Sequence, residues 1–74
     1  MKSAYLLLET AYAGYVTYGI AYAEYDGARP VLVETYPDLS PLASRVRRLV
    51  DACNRDLLPR SALRETVARF LETL

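Results

Sequence analysis

Tyr15–Tyr25, YVTYGIAYAEY, is the stretch around which this chain of 74 residues is organised. Its Tyr, Val, Ile and Thr side chains are bulky or branched at Cβ and suit a pleated, half-buried surface better than a helix, which predicts a β-strand. Alternate residues point to opposite sides of a strand. Val16, Tyr18, Ile20 and Tyr22 therefore form a large face, and Thr17, Gly19, Ala21 and Ala23 a small one. Ala13-Gly14 lies just before the run and Asp26-Gly27 just after it, and both dipeptides contain a residue that takes positive φ at little steric cost. A strand with a tight turn at each end has a neighbour on each side, so it is the middle of a meander.

The flanking segments complete that picture. Ala4–Tyr12 (AYLLLETAY) reads as the first strand, with its phase left open. A two-residue turn at Ala13-Gly14 sets Leu7 opposite Ile20, whereas a three-residue loop with a bulge brings Leu6 and Leu8 to that face. In the second hairpin, a two-residue turn at Asp26-Gly27 and a four-residue loop from Asp26 to Arg29 both place Val31, Val33 and Thr35 on the Ile20 face. Pro30 has no N–H to donate, which marks the start of a third strand, Val31–Tyr36, at the sheet edge. Pro37 ends the sheet. Ser40 and Pro41 then form a helix start, the hydroxyl capping free amides and the proline losing nothing at the first helical position.

The first helix is predicted from Pro41 to about Asn54, with an apolar stripe of Leu42, Val46, Leu49, Val50 and Cys53 and with Asn54 as a left-handed terminator. After the connection Arg55–Pro59, a second helix is predicted from Arg60 or Ser61 to about Thr73, its stripe being Leu63, Val67, Phe70, Leu71 and Leu74. Strands followed by helices indicate an α+β fold: a three-stranded antiparallel meander with two helices packed on one sheet face, β-β-β-α-α. The expectation is one domain over residues 1–74, with Ile20, Val33, Leu49, Val50, Val67 and Phe70 as its core.

Nine basic and nine acidic residues cancel, which weakens any case for nucleic acid or an anionic membrane as partner on bulk charge. The first 36 residues carry a charge of −2 and the remaining 38 carry +2, a skew that could steer one subunit onto another. A single cysteine and no histidine exclude an internal disulfide and the usual Cys/His zinc sites, so no metal is expected. The early apolar run is broken at Glu9, too short for a membrane span or signal-peptide core, and the expected location is cytoplasmic. Cys53 lies on the helix stripe and reads as a core thiol. Glu9, Glu24 and Glu34 read as solvated strand positions that discourage edge pairing. Gly14, Gly19 and Gly27 are too far apart for a phosphate loop. With no converging reactive set, neither catalytic residues nor a cofactor are expected, and the chain is not read as an enzyme.

Seven tyrosines stand out. Tyr18 and Tyr22 belong most simply to the core side, hydroxyls at the rim. Arg47 and Asp51, and Asp51 and Arg55, stand four apart on the helix and can pair locally. Apolar residues remain on both sheet faces, because Leu6, Leu8 and Leu32 cannot all join Leu7, Ile20, Val31 and Val33 under the same helices. A symmetric dimer is the commonest way to bury such a patch. The expected interface, through the sheet face or an edge, is Leu6, Leu8, Gly19, Ala21, Ala23, Leu32 and Tyr36. The functional expectation is a small protein–protein interaction module, one that could serve regulation, acting as a homodimer. The alternative is single-stranded nucleic-acid binding, with bases stacked on sheet aromatics and phosphates held by Arg45, Arg47, Arg48 and Arg55.

Tyr18-Gly19-Ile20 in a strand, Leu39-Ser40 before a helix, Val46, Leu49-Val50, Asn54, Leu58-Pro59, Val67 and Phe70-Leu71 follow one another in an order that resembles a family of short uncharacterised proteins from Firmicutes. The resemblance covers residues 15–74, with the interval from Pro59 to Phe70 about one residue longer than in that family. It implies a β-β-β-α-α arrangement and carries over no catalytic or binding residue.

Overall fold

Gly14 at φ 89° and Gly27 at φ 63° turn the chain twice and generate the sheet. In the computed structural model, which describes residues Lys2 to Thr73, β1 (Lys2–Tyr12), β2 (Tyr15–Asp26) and β3 (Arg29–Ser40) form one antiparallel sheet in the order β1-β2-β3. Two helices follow, α1 (Ala43–Arg55) and α2 (Leu63–Glu72), the second entered through a 3₁₀ turn at Arg60–Ala62. The expected Leu74 of the second stripe lies outside the described residues.

The first turn has two residues, Tyr12 pairing with Tyr15, so Leu7 stands opposite Ile20 and Tyr5 opposite Tyr22. That resolves the phase of β1: Tyr5 and Leu7 go under the helices, and Leu6 and Leu8 go to the other face. The helix-covered core consists of Tyr5, Ile20, Leu39, Val46, Val50, Cys53, Leu63 and Val67, with Leu49 and Phe70 partly buried against it. Leu42 and Leu71, read as stripe residues, remain 54% and 47% exposed at the outer ends of their helices.

The third strand departs from expectation in two places. Its turn is Gly27-Ala28, with Asp26 paired to Arg29, and the register runs regularly to Ala23 opposite Leu32. Tyr22 then pairs with Glu34, leaving Val33 unpaired in a bulge. One extra residue reverses the side on which every later side chain of the strand lies. Glu34 and Tyr36 therefore share the face of Tyr22 and Ile20, while Thr35 stands across Ala21 on the other face. This corrects the placement of Thr35 with Ile20, and Val33, expected in the core, is not part of it; Val31 keeps the Ile20 side, across from Glu24, but is 55% exposed near the hairpin end.

The second departure surrounds Gly19. Ile20 pairs with Tyr36 and Tyr18 with Ser40, so Pro37, Asp38 and Leu39 bulge out against the single residue Gly19. Asp38 takes φ 57° to make this bend, and Leu39 is delivered into the core. A Cβ on Gly19 would collide with the Tyr36 carbonyl oxygen and lie 2.7 Å from Pro37 Cα. Pairing thus resumes beyond Pro37 instead of ending there. Ser40 accepts a 3.2 Å hydrogen bond from the Thr17 hydroxyl on its carbonyl and a 3.1 Å bond from the Leu42 amide on its own Oγ. Because Ser40 is still held in the sheet, α1 starts only at Ala43.

α1 ends at Arg55, close to the expected Asn54, but its left-handed terminator is a different residue. Leu57, at φ 51°, takes the left-handed conformation expected of Asn54. The Leu58 amide bonds the Cys53 carbonyl at 3.0 Å and the Leu57 amide the Asn54 carbonyl at 3.3 Å, the pair that closes a Schellman motif. Leu57 is 85% exposed, so its side chain contributes little to packing. A non-glycine residue in this region costs roughly 1–2 kcal/mol, while glycine's extra unfolded-state freedom costs about 0.5–1 kcal/mol. Leu57→Gly is therefore expected to raise the urea unfolding free energy, by up to about 1 kcal/mol. Gly19→Ala is expected to lower it by at least about 1–3 kcal/mol, since backbone would have to move; an unchanged urea midpoint in Gly19→Ala would contradict the β3 geometry.

Candidate functional site

Residues directly opposite in an antiparallel ladder share a face. On the face away from the helices, the ladder therefore sets Tyr12 with Tyr15, Thr10 with Thr17, Leu8 with Gly19, Leu6 with Ala21 and Thr35, Ala4 with Ala23 and Leu32, and Lys2 with Tyr25 and Pro30. Lys2, at one corner, is the only charged side chain in that paired set. Glu9, Glu24, Asp26, Arg29 and Glu34 all fall on the helix-side face. The open face of this sheet is thus uncharged along almost its whole length, the reverse of the usual polar exterior.

Its relief follows from side-chain size. The small residues of β2 form a floor that the chain's own neighbours already shield, with Ala21 1% and Ala23 0% exposed. Leu6 and Leu8 on one side are partly buried, and Leu32 on the other is 48% exposed. At one end Tyr12 and Tyr15 stack with ring centroids 5.2 Å apart and stay exposed. Of the seven positions read from the sequence, Leu6, Leu8, Gly19, Ala21, Ala23 and Leu32 are brought together. Two corrections apply. Tyr36 lies on the helix side, because of the Val33 bulge. Gly19 is filled over by β3, so its missing Cβ serves the chain's own third strand and leaves no room for a second layer.

Both sheet edges are obstructed. On β1, the Tyr5 amide donates to Asn54 Oδ1 at 2.8 Å and Asn54 Nδ2 donates to the Tyr5 carbonyl at 2.9 Å, so one side-chain amide occupies the edge as a neighbouring strand would. The Tyr5 hydroxyl donates to the Leu58 carbonyl at 2.7 Å, tying the same residue to the connection after α1. Burial first, then the nearby Cys53, Tyr22 and Glu34, push this phenol up to about 12, and it stays a donor. On β3, Pro30 and Pro37 lack N–H groups and the bulges at Val33 and Asp38 break the ladder. Nothing in the sequence around Asn54 distinguishes a strand-capping amide from a helix terminator, because the partner is 49 residues away.

A second grouping lies on the helix side. Glu34 accepts from the Tyr36 hydroxyl at 2.6 Å and from Arg60 Nε at 3.1 Å, and the Arg60 guanidinium stands 6.0 Å from the Tyr22 ring centroid. The Tyr36 hydroxyl, and then Arg60, hold the Glu34 carboxyl below its ordinary range. Glu34 is thus an anchored carboxylate and not the freely solvated one expected. Arg55 pairs with Asp56 at 3.2 Å instead of Asp51. Cys53 is buried, and burial followed by the nearby Asp56 raises its thiol, consistent with a core position. Among the described residues no group of three or more His, Cys, Asp or Glu is arranged to hold a metal ion, and no helix is long and apolar enough to cross a membrane.

No family model, no curated protein and no solved structure matches this chain.

Removing the Asn54 side chain leaves the Tyr5 amide and carbonyl without partners at the point where α1 meets the sheet. Asn54→Ala is expected to cost about 1–3 kcal/mol in chemical unfolding, and to speed hydrogen exchange at the Tyr5 amide more than at the Ile20 amide in the middle strand. Unchanged exchange at Tyr5 would contradict the edge-capping role.

Proposed function

We propose that the protein is a small interaction module that associates as a homodimer through its open sheet face. The observation that carries this reading is the charge distribution: the paired strand carboxylates Glu9, Glu24, Asp26 and Glu34 and Arg29 fall on the helix side, and the paired residues of the opposite face include Leu6, Leu8, Leu32, Tyr12, Tyr15 and Tyr25 with no charge beyond Lys2. Interface centres are depleted of charge and enriched in aromatic and apolar anchors in this way. A second copy is the occupant that matches, since an uncharged face has nothing to complement in a charged partner and is complementary to itself under a two-fold axis. Two such sheets stacked about 10 Å apart would form a β-sandwich with helices on both outer sides. The obstructed edges favour face-to-face stacking over edge pairing.

Single-stranded nucleic acid is less well supported. The exposed Tyr12 and Tyr15 belong to the open face, whereas Arg45, Arg47, Arg48 and Arg55 sit on or next to α1, across the sheet, so one strand could not engage both sets.

If folding and association are linked, the melting temperature rises with protein concentration. Leu32 is half-exposed, so a lysine there leaves the chain's own core intact while placing a charge in the centre of the stacked faces. Leu32→Lys is expected to give a monomer by sedimentation and to abolish the concentration dependence of melting. A wild-type chain that sediments as a monomer at the highest soluble concentration would refute the dimer. Retention on immobilised single-stranded nucleic acid that falls steeply with salt would favour the alternative.

A further inference from the structure

Between β3 and the start of α2 lies an open cleft of about 570 Å³, lined by Glu34, Tyr36, Arg60, Ser61 and Arg64. Its size falls within the roughly 300–1,000 Å³ of small-molecule sites. We propose that this cleft binds a carboxylate, held by the guanidinium groups of Arg60 and Arg64. The inference is independent of the dimer, which uses the opposite face of the sheet.

Three features support it. First, Arg60 is oriented before any ligand arrives: its Nε donates to Glu34, whose other oxygen is held by the Tyr36 hydroxyl, and Tyr22 lies beside the guanidinium. With Nε committed to Glu34, both terminal nitrogens remain as donors, and a fixed guanidinium loses less entropy on meeting a planar oxyanion than a free one. Second, Arg64, four residues further and lining the same cleft, makes no ion pair with a carboxylate among the described residues. Third, the charges select the class of anion. Two guanidiniums against one Glu34 carboxylate leave the cleft at +1, which a monoanion neutralises. A dianionic phosphate would leave excess negative charge beside Glu34, whose oxygens are already occupied. The Ser61 hydroxyl adds an uncharged donor, and the Tyr36 ring an apolar wall.

The test is an NMR titration of the whole chain with sodium benzoate, sodium acetate and inorganic phosphate at constant ionic strength, following the Ser61 and Arg64 amides and the arginine side-chain N–H signals. Saturable benzoate shifts at these positions are expected. Arg64→Gln, a change at an exposed residue that leaves the fold intact, should weaken binding roughly ten-fold or more, the size expected for losing a charge-assisted hydrogen bond. Arg47→Gln, an exposed arginine of α1 outside the cleft, should not change it. Benzoate binding tighter than acetate assigns an aromatic acid packed on Tyr36; equal binding assigns recognition of the carboxylate alone, as at a chain terminus or acidic side chain. The proposal is overturned if no saturable shift occurs, if Arg47→Gln weakens binding as much as Arg64→Gln, or if phosphate binds more tightly than either carboxylate. Leu32→Lys should leave benzoate binding unchanged and Arg64→Gln should leave association unchanged, so failure of one reading does not entail failure of the other.

Discussion

A single unpaired residue in β3, Val33, governs the sidedness of the sheet, because a strand that gains one residue presents everything beyond it to the opposite face. Before the bulge Leu32 lies across Ala23 on the open face; after it, Glu34 and Tyr36 lie across Tyr22 and Ile20 beneath the helices. Both candidate surfaces follow from that reversal. With a regular ladder, Glu34 would have carried its charge to the open face and Thr35 would have gone under the helices. The bulge instead keeps Glu34 off the open face and brings it within reach of Arg60.

The helices are tied to the sheet as well as packed on it. Asn54 and Leu58, both near the end of α1, hold Tyr5 through its amide, carbonyl and hydroxyl. The Schellman turn at Leu57 is what swings Leu58 back to meet that hydroxyl. A strained left-handed leucine is therefore retained at a place where geometry is more constrained than packing. The same two-bond contact blocks the β1 edge, so one side chain both registers α1 on the sheet and discourages addition of a further strand.

Size explains why an uncovered face matters here. Strands of 11 and 12 residues extend for roughly 3.3 Å per residue, against 1.5 Å for a helix, so two short helices cannot roof even one face to its ends. On the helix side, Val16 is left exposed at one end and Val31 at the other. A chain this short has little core to spare, and burial of the open face would add stabilisation that its own helices do not supply.

Local signals determined a large part of the architecture. β-branched and aromatic runs marked the strands, Gly14 and Gly27 the turns, and apolar spacing the stripes of Val46, Val50, Cys53, Leu63 and Val67; each acts over a few residues and is readable from them. They also put Gly19, Ala21 and Ala23 on the face opposite Ile20, but left open whether Leu7, or Leu6 and Leu8, joins Ile20. Tertiary structure alone decided the phases of β1 and β3, the role of Gly19, the late start of α1 and the Asn54–Tyr5 and Glu34–Arg60 contacts. Strand parity depends on a bulge whose stability comes from which side chains the helices can cover. The contacts of Asn54 and Arg60 join residues 49 and 26 positions apart, beyond the reach of any local pattern.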